Sequence, residues 1–428
     1  MPPHPRRAAH VALALAPVAL KIAAMLWALH AGFAQVSDDD YARTVIAQSF
    51  AHAPRLDPSG TSWLPLPFWI YGGVMMALGR SLAVARGLAF VLGALSPLVV
   101  WAGLRSMQIA RIPAALGAAV FALTPWSVWL GLAPVPEAWA GACAAGALFF
   151  AASSHPRGEA IAGALACVAS LSRYEAWPIA ALVAAVAAVR FVRGEGARAW
   201  HVAGFALAVL GPAFWLANNA ITHGDALHFV ARVAAYRRAN GGVLSIADRI
   251  FEYPRALRHD APEILIAGLI GAFAATTQPA LRARWVLPLG GAALVFAFLI
   301  YGDLRDGAPT HHAARALLPA MAVLAGFGAD ALFALASHKK PVVAAALAAW
   351  LAFVIFRVRD VPGNDAASRR EGQIARGRAL AGAAALDVTP CAYEHFALIA
   401  AYGAPERVTI HEAERKPVTP DCPEVRSR

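Results

Sequence analysis

At 428 residues the chain is long enough for two or three soluble domains, but its composition excludes them. Hydrophobic residues make up 59%, charged residues only 15%, and the mean hydropathy of +0.55 describes a polytopic membrane protein. The net charge of +11 is dispersed among loops between apolar runs, so the retention of Lys and Arg in the cytoplasm explains it and no nucleic-acid partner is expected.

The Arg-rich start, Met1 to His10, runs into an apolar segment too long for a typical signal-peptide core, and no small-x-small cleavage site follows. A retained first transmembrane helix is expected, with Lys21 either snorkelling or facing a polar interior. Apolar runs and their breakers then predict about eleven spans. They are centred on 11–34, 87–104, 112–132, 138–152, 159–173, 177–192, 201–218, 262–278, 285–301, 314–336 and 341–357. Basic residues (Arg6/Arg7, Arg105/Arg111, Arg157, Arg190/Arg193/Arg198, Arg282/Arg284, Lys339/Lys340) fall at alternate span ends, which places the N-terminus in the cytoplasm. Residues 1–357 form the membrane domain of this all-α chain, and 358–428 a small extracytoplasmic region. The apolar run Trp63 to Leu78 is short and broken by Pro65, Pro67 and Gly72-Gly73. It is expected to lie at the outer interface within a first outer loop, 35–86.

Three consecutive carboxylates, Asp38, Asp39 and Asp40, open that loop. Desolvating and crowding them is costly, so they are expected in water at the membrane surface. Further outer segments carry Pro136-Glu137, Arg173-Tyr174-Glu175 and His311-His312. Cys143 and Cys167, within spans, read as small packing residues. Cys391 and Cys422 share the outer tail, where a disulfide and two free thiols are the open alternatives.

In order, the chain shows Asp38-Asp39-Asp40-Tyr41-Ala42-Arg43, Trp63-Leu64-Pro65-Leu66-Pro67-Phe68-Trp69, Arg86 opening a Gly-rich helix, and Leu123-Thr124-Pro125. Pro136-Glu137, Leu171-Ser172-Arg173-Tyr174-Glu175-Ala176-Trp177 and Ala314-Arg315-Ala316-Leu317-Leu318-Pro319 follow. Over residues 10–335 this resembles the GT-C superfamily of integral-membrane glycosyltransferases, in the protein O-mannosyltransferase and aminoarabinose-transferase branch. The resemblance implies a transferase that uses a sugar carried on a polyprenyl phosphate in a bacterial inner membrane, with its active site and C-terminus extracytoplasmic. The acceptor is left open among protein, glycolipid and polysaccharide.

It further implies a catalytic base at Asp39 or Asp40 and a second acidic site at Glu137. The family often has Asp-Glu where this chain has only aspartates, which leaves the register of the base open. The chemistry agrees: an acceptor hydroxyl must lose a proton as it attacks, and a neighbouring carboxylate raises the pKa of the base. The departing lipid phosphate needs fixed cations or donors. Asp38, Arg43, Arg173, Tyr174, Glu175, His311, His312 and Arg315 are the candidates for substrate binding, with His311 and Arg315 on one face if helical.

Simpler roles compete. Glu137 can cap its helix, Arg173 and Glu175 can form a plain ion pair, and Trp126, Trp129 and Trp139 suit interfacial anchors better than sugar platforms. No cofactor is expected. The His pair has no third metal ligand fixed by spacing, and a divalent metal is left open. A multi-pass transporter or flippase, or a polysaccharide polymerase or ligase, is the alternative. A transporter, however, should carry midplane polar sites in two matching halves.

Overall fold

In hydrocarbon a backbone must satisfy its own polar groups, so the Ala-rich apolar runs coil into helices. The computed structural model describes residues 5–240, 245–305, 312–336, 340–359, 370–389, 395–411 and 424–427. It is 79% helical. The helices are α1 Pro5–His30, α2 Asp39–His52, α3 Leu66–Leu78, α4 Leu82–Ser106, α5 Arg111–Leu123, α6 Pro125–Leu132, α7 Glu137–Ala151, α8 Gly158–Ser170 and α9 Trp177–Arg193. They continue as α10 Arg198–His223, α11 His228–Asn240, α12 Ile246–Asp260, α13 Pro262–Thr277, α14 Pro279–Leu304, α15 Leu318–Ala336, α16 Lys340–Val358, α17 Glu371–Ala379 and α18 Phe396–Tyr402.

Among the described residues, six helical segments are long and apolar enough to cross a membrane, falling in α1, α4, α9, α10, α14 and α15. Two more crossings arise if each bent pair is one span: α5 with α6, bent by 65°, and α12 with α13, bent by 101°. Proline explains both bends. Pro125 and Pro262 stand at the starts of their helices, where a missing N–H interrupts the ladder. Shorter apolar helices include α3, α7, α8 and the Leu347–Val358 part of α16.

The central element is α15, whose span is 89% buried among its neighbours. Small residues let the helices approach closely. A Cβ added at Gly163 of α8 would meet the Gly204 carbonyl of α10 at 2.3 Å, and one at Gly117 of α5 would meet Gly326 Cα of α15 at 2.8 Å. Lys21 faces the interior: fully buried in α1, it donates to the backbone carbonyl and hydroxyl of Ser127. Cys143 is buried and Cys167 half-buried, and both are free thiols.

Arg86 of α4 donates to the Ala34 carbonyl just past α1 at 3.1 Å, so the chain leaves and re-enters the bundle at one end, with α2 and α3 in between. The C-terminal unit sits on the same end. It departs from the all-α expectation, because strands β1 Leu386–Thr389, β2 Val408–Ile410 and β3 Glu424–Ser427 form a sheet in the order β2-β1-β3. β1 pairs parallel to β2 and antiparallel to β3. Alternating burial along β1 turns Leu386 and Val388 onto α18, making a small soluble-type core with Leu398, Ile399 and Tyr402. Cys391 and Cys422 lie outside the described residues.

Candidate active site

Four helix starts converge at this end of the bundle: those of α2, α7 and α15, and the turn Tyr174–Ala176 that leads into α9. Each carries charge for a local reason. Glu137 is the first residue of α7, where the unpaired N–H groups favour a carboxylate, and Pro136 immediately before it sets the helix start. Arg315 lies in a tight 3-10 turn, Ala313–Leu317, preceding α15. His312 enters that turn in the left-handed conformation, φ 57°. The idea that His311 and Arg315 share an α-helical face is therefore not met: the Arg315 turn is 3-10, and His311 lies outside the described residues.

Glu137 is the hub. Its Oε1 accepts Arg315 Nη2 at 2.6 Å and Nε at 3.1 Å, and Arg173 Nη1 stands 3.1 Å from the same oxygen. Oε2 is buried with no partner among the described residues. Arg173 also donates from Nε to Glu175 Oε1 at 2.7 Å, so the ion pair considered for these two residues is present and joins the Glu137 network. Arg315 Nη1 reaches Asp39 Oδ2 at 3.3 Å.

The three aspartates have three different fates, and the expectation that all sit in water fails. Asp38 is clamped by Arg370, whose Nε and Nη2 each lie 2.9 Å from a different carboxylate oxygen. Asp39 keeps a side chain 42% exposed. Asp40 is only 2% exposed: the turn into α2 folds it back, so that Oδ2 accepts the Val36 N–H at 2.9 Å while Oδ1 is buried without a partner. Burial raises the Asp40 carboxyl, against the lowering effects of the Val36 N–H and of Arg315, to about 7. α2 lies outside every helix long enough to cross a membrane.

Arg43, one turn along α2, is 6% exposed, and its Nε makes no hydrogen bond among the described residues. Its guanidinium lies over the Trp63 ring at 4.4 Å and is also within 5.8 Å of Phe68. Tyr174, by contrast, is committed to structure. Its hydroxyl donates to the Ser62 carbonyl at 2.7 Å and accepts Trp215 Nε1 at 2.9 Å, and its ring stacks on Phe229 at 4.8 Å. His312 packs 5.3 Å from Trp126, which in turn lies 5.2 Å from Trp129. Trp126 and Trp139 are buried and Trp129 packs against the same core, so the anchor role expected for these tryptophans gives way to packing inside the bundle.

Sequence reasoning missed Arg370 and the position of Trp63 over Arg43. Arg370 belongs to a basic stretch of the tail whose fold had no local signal. Among the described residues no cluster of three or more His, Cys, Asp and Glu side chains could hold a metal.

No family model and no curated protein matches the chain. Among solved structures it is similar to the Archaeoglobus fulgidus oligosaccharyltransferase in complex with Zn and sulfate, at TM-score 0.50 and 16% identity over 84% of this chain and 55% of that one. It is also similar to the archaeal oligosaccharyltransferase from that organism in complex with an inhibitory peptide and a dolichol-phosphate, at TM-score 0.50 and 13% identity over 87% and 58%. The chain spans a little more than half the length of these neighbours. At such identity the likeness is one of fold. It does not single out a branch of the expected family.

Proposed function

We propose that the chain is an integral-membrane glycosyltransferase that moves a sugar from a polyprenyl-phosphate carrier to an acceptor hydroxyl on the extracytoplasmic face. The observation that carries this reading is the convergence of the first-loop Asp39 with Arg315, 276 residues later, on the Glu137–Arg173 pair. The fold neighbour described with a dolichol-phosphate supports a lipid-linked donor.

In this mechanism Asp40 is the general base. Its buried carboxyl, raised to about 7, is matched to taking a proton from a hydroxyl near neutral pH. The acceptor oxygen bonds to the anomeric carbon as the bond from that carbon to the phosphate oxygen breaks, and the lipid phosphate leaves with the electron pair. Arg43, whose buried guanidinium is stacked but unbonded at Nε, is the best-placed cation for that phosphate. Arg173 assists, since among the described residues its bonds to Glu137 and Glu175 use Nη1 and Nε. Glu137 holds Arg173 and Arg315 in place, and Asp39 borders the acceptor side.

Taking the six long helices, the two bent pairs and the three shorter helices α7, α8 and α16 as crossings gives eleven. This count leaves α3 at the outer interface and the C-terminal unit outside, in a bacterial inner membrane.

The test is transfer of a radiolabelled sugar from a polyprenyl phosphate by purified protein in lipid vesicles, with Asp40→Asn inactive. Movement of the labelled lipid across the vesicle membrane without glycosidic transfer would instead establish a transporter.

A further inference from the structure

The first turn of α2 holds Asp39 on Arg315 and Asp40 under cover. Asp38, at the N-cap position, would ordinarily cap α2 by accepting an N–H from its first turn. It makes no such bond; its backbone is already helical, φ −64° and ψ −16°. Both of its carboxylate oxygens are turned instead to Arg370, while the neighbouring Asp39 turns to Arg315. Arg370 is 8% exposed and immediately precedes α17, whose Ile374 packs with Tyr41, Leu82, Ala397 and Ala400 in one apolar cluster. Two further ties bind the same pieces. The buried Gln48 amide donates to the Ala400 and Arg80 carbonyls at 2.8 and 3.1 Å, and Arg80 forms a two-pronged pair with Glu406 at 2.7 and 2.9 Å.

We propose that Arg370 is a positioning residue for the transfer site, and that the C-terminal unit acts through its grip on Asp38 to fix the first turn of α2. This rests on the glycosyltransferase reading above. Gln48 and the Arg80–Glu406 pair hold the far end of α2, and at the end that carries the aspartates Tyr41 packs on Ile374 while, among the described residues, Arg370 is the side chain of the C-terminal unit that grips a site aspartate. The fork geometry matters, because a lysine ammonium cannot grip both oxygens in plane.

The test uses the full-length protein in vesicles, with Arg370→Ala, Arg370→Lys and the exchange pair Asp38→Arg with Arg370→Asp. Two readouts are compared. The first is amide hydrogen exchange of residues 39–44 against α4. The second is transfer as a function of pH, separated into kcat and KM for the donor. Arg370→Ala should speed exchange in the first turn of α2 but not in α4. It should lower kcat by roughly 10²-fold with KM changed less than about threefold, since small misplacements of a reacting group are costly. Its acid limb should move down in pH as Asp40 gains water. Arg370→Lys should retain an intermediate kcat, and the exchange pair should recover more activity than either single change.

Unchanged exchange at 39–44 in Arg370→Ala would overturn the proposal whether or not transfer is detected. So would a kcat and pH profile like those of wild type. Wild-type protein that transfers no sugar, while α2 still loosens in the variant, would count against the glycosyltransferase reading and leave the anchoring role intact.

Discussion

Arg315, just ahead of α15, closes on Glu137 at the start of α7 from 178 residues away, with Nη2 and Nε both on a single carboxylate oxygen. Arg173 meets that oxygen from a third element. One buried carboxylate thus holds two guanidiniums, and neither cation can lose it cheaply.

Glu137→Gln should therefore destabilise the protein by about 3–5 kcal/mol, the usual cost of leaving a buried charge without its partner. Unfolding in detergent micelles measures it. A loss below about 1 kcal/mol would show that water already shields the pair.

The two site aspartates should separate sharply. Asp40→Asn should cost roughly 10²–10⁴ in transfer rate, the range for loss of a general base, and the half-exposed Asp39→Asn about tenfold or less. Equal rates in the two variants at matched expression would remove Asp40 as the base.

Activity should rise with pH through about 7, falling about tenfold per unit below it, because the base must be ionised. Stability should run the other way. The folded Asp40 carboxyl holds its proton to a higher pH than the unfolded one, whose ordinary value is 3.8. Its contribution is thus fully present below about 4 and lost as pH rises through about 7. Comparing unfolding of wild type and Asp40→Asn at pH 5 and pH 8.5 checks this. The variant should lose that slope and gain relative stability at the higher pH.

Gly163→Ala should force α8 and α10 apart, since its Cβ would meet the Gly204 carbonyl at 2.3 Å, and should cost about 1–3 kcal/mol. Gly290→Ala, whose Cβ meets nothing within 4 Å, is the control and should leave the unfolding midpoint unchanged or slightly raised.

A C-terminal alkaline-phosphatase fusion should be active and the matching green-fluorescent fusion dark, as expected if α3 does not cross. The reverse pattern would place the C-terminal unit in the cytoplasm and the site with it.

The sequence by itself determined where apolar helices form, because hydropathy is a local property summed over one segment and an apolar segment has a single solution in hydrocarbon. It also marked Glu137, Arg173 and Arg315 as candidates, through the order of short motifs that resembles the GT-C family. Only the tertiary structure decided which aspartate is buried: Asp38, Asp39 and Asp40 are chemically identical and adjacent, and they differ in what packs against them. Asp38 meets Arg370 from 332 residues away and Asp39 meets Arg315 from 276 away, while Asp40 is folded under Val36. Tyr174 has the same lesson, since its hydroxyl is spent on Ser62 and Trp215. A carboxyl's affinity for its proton depends on the water and charge around it, and those are supplied by segments that meet only when the bundle closes.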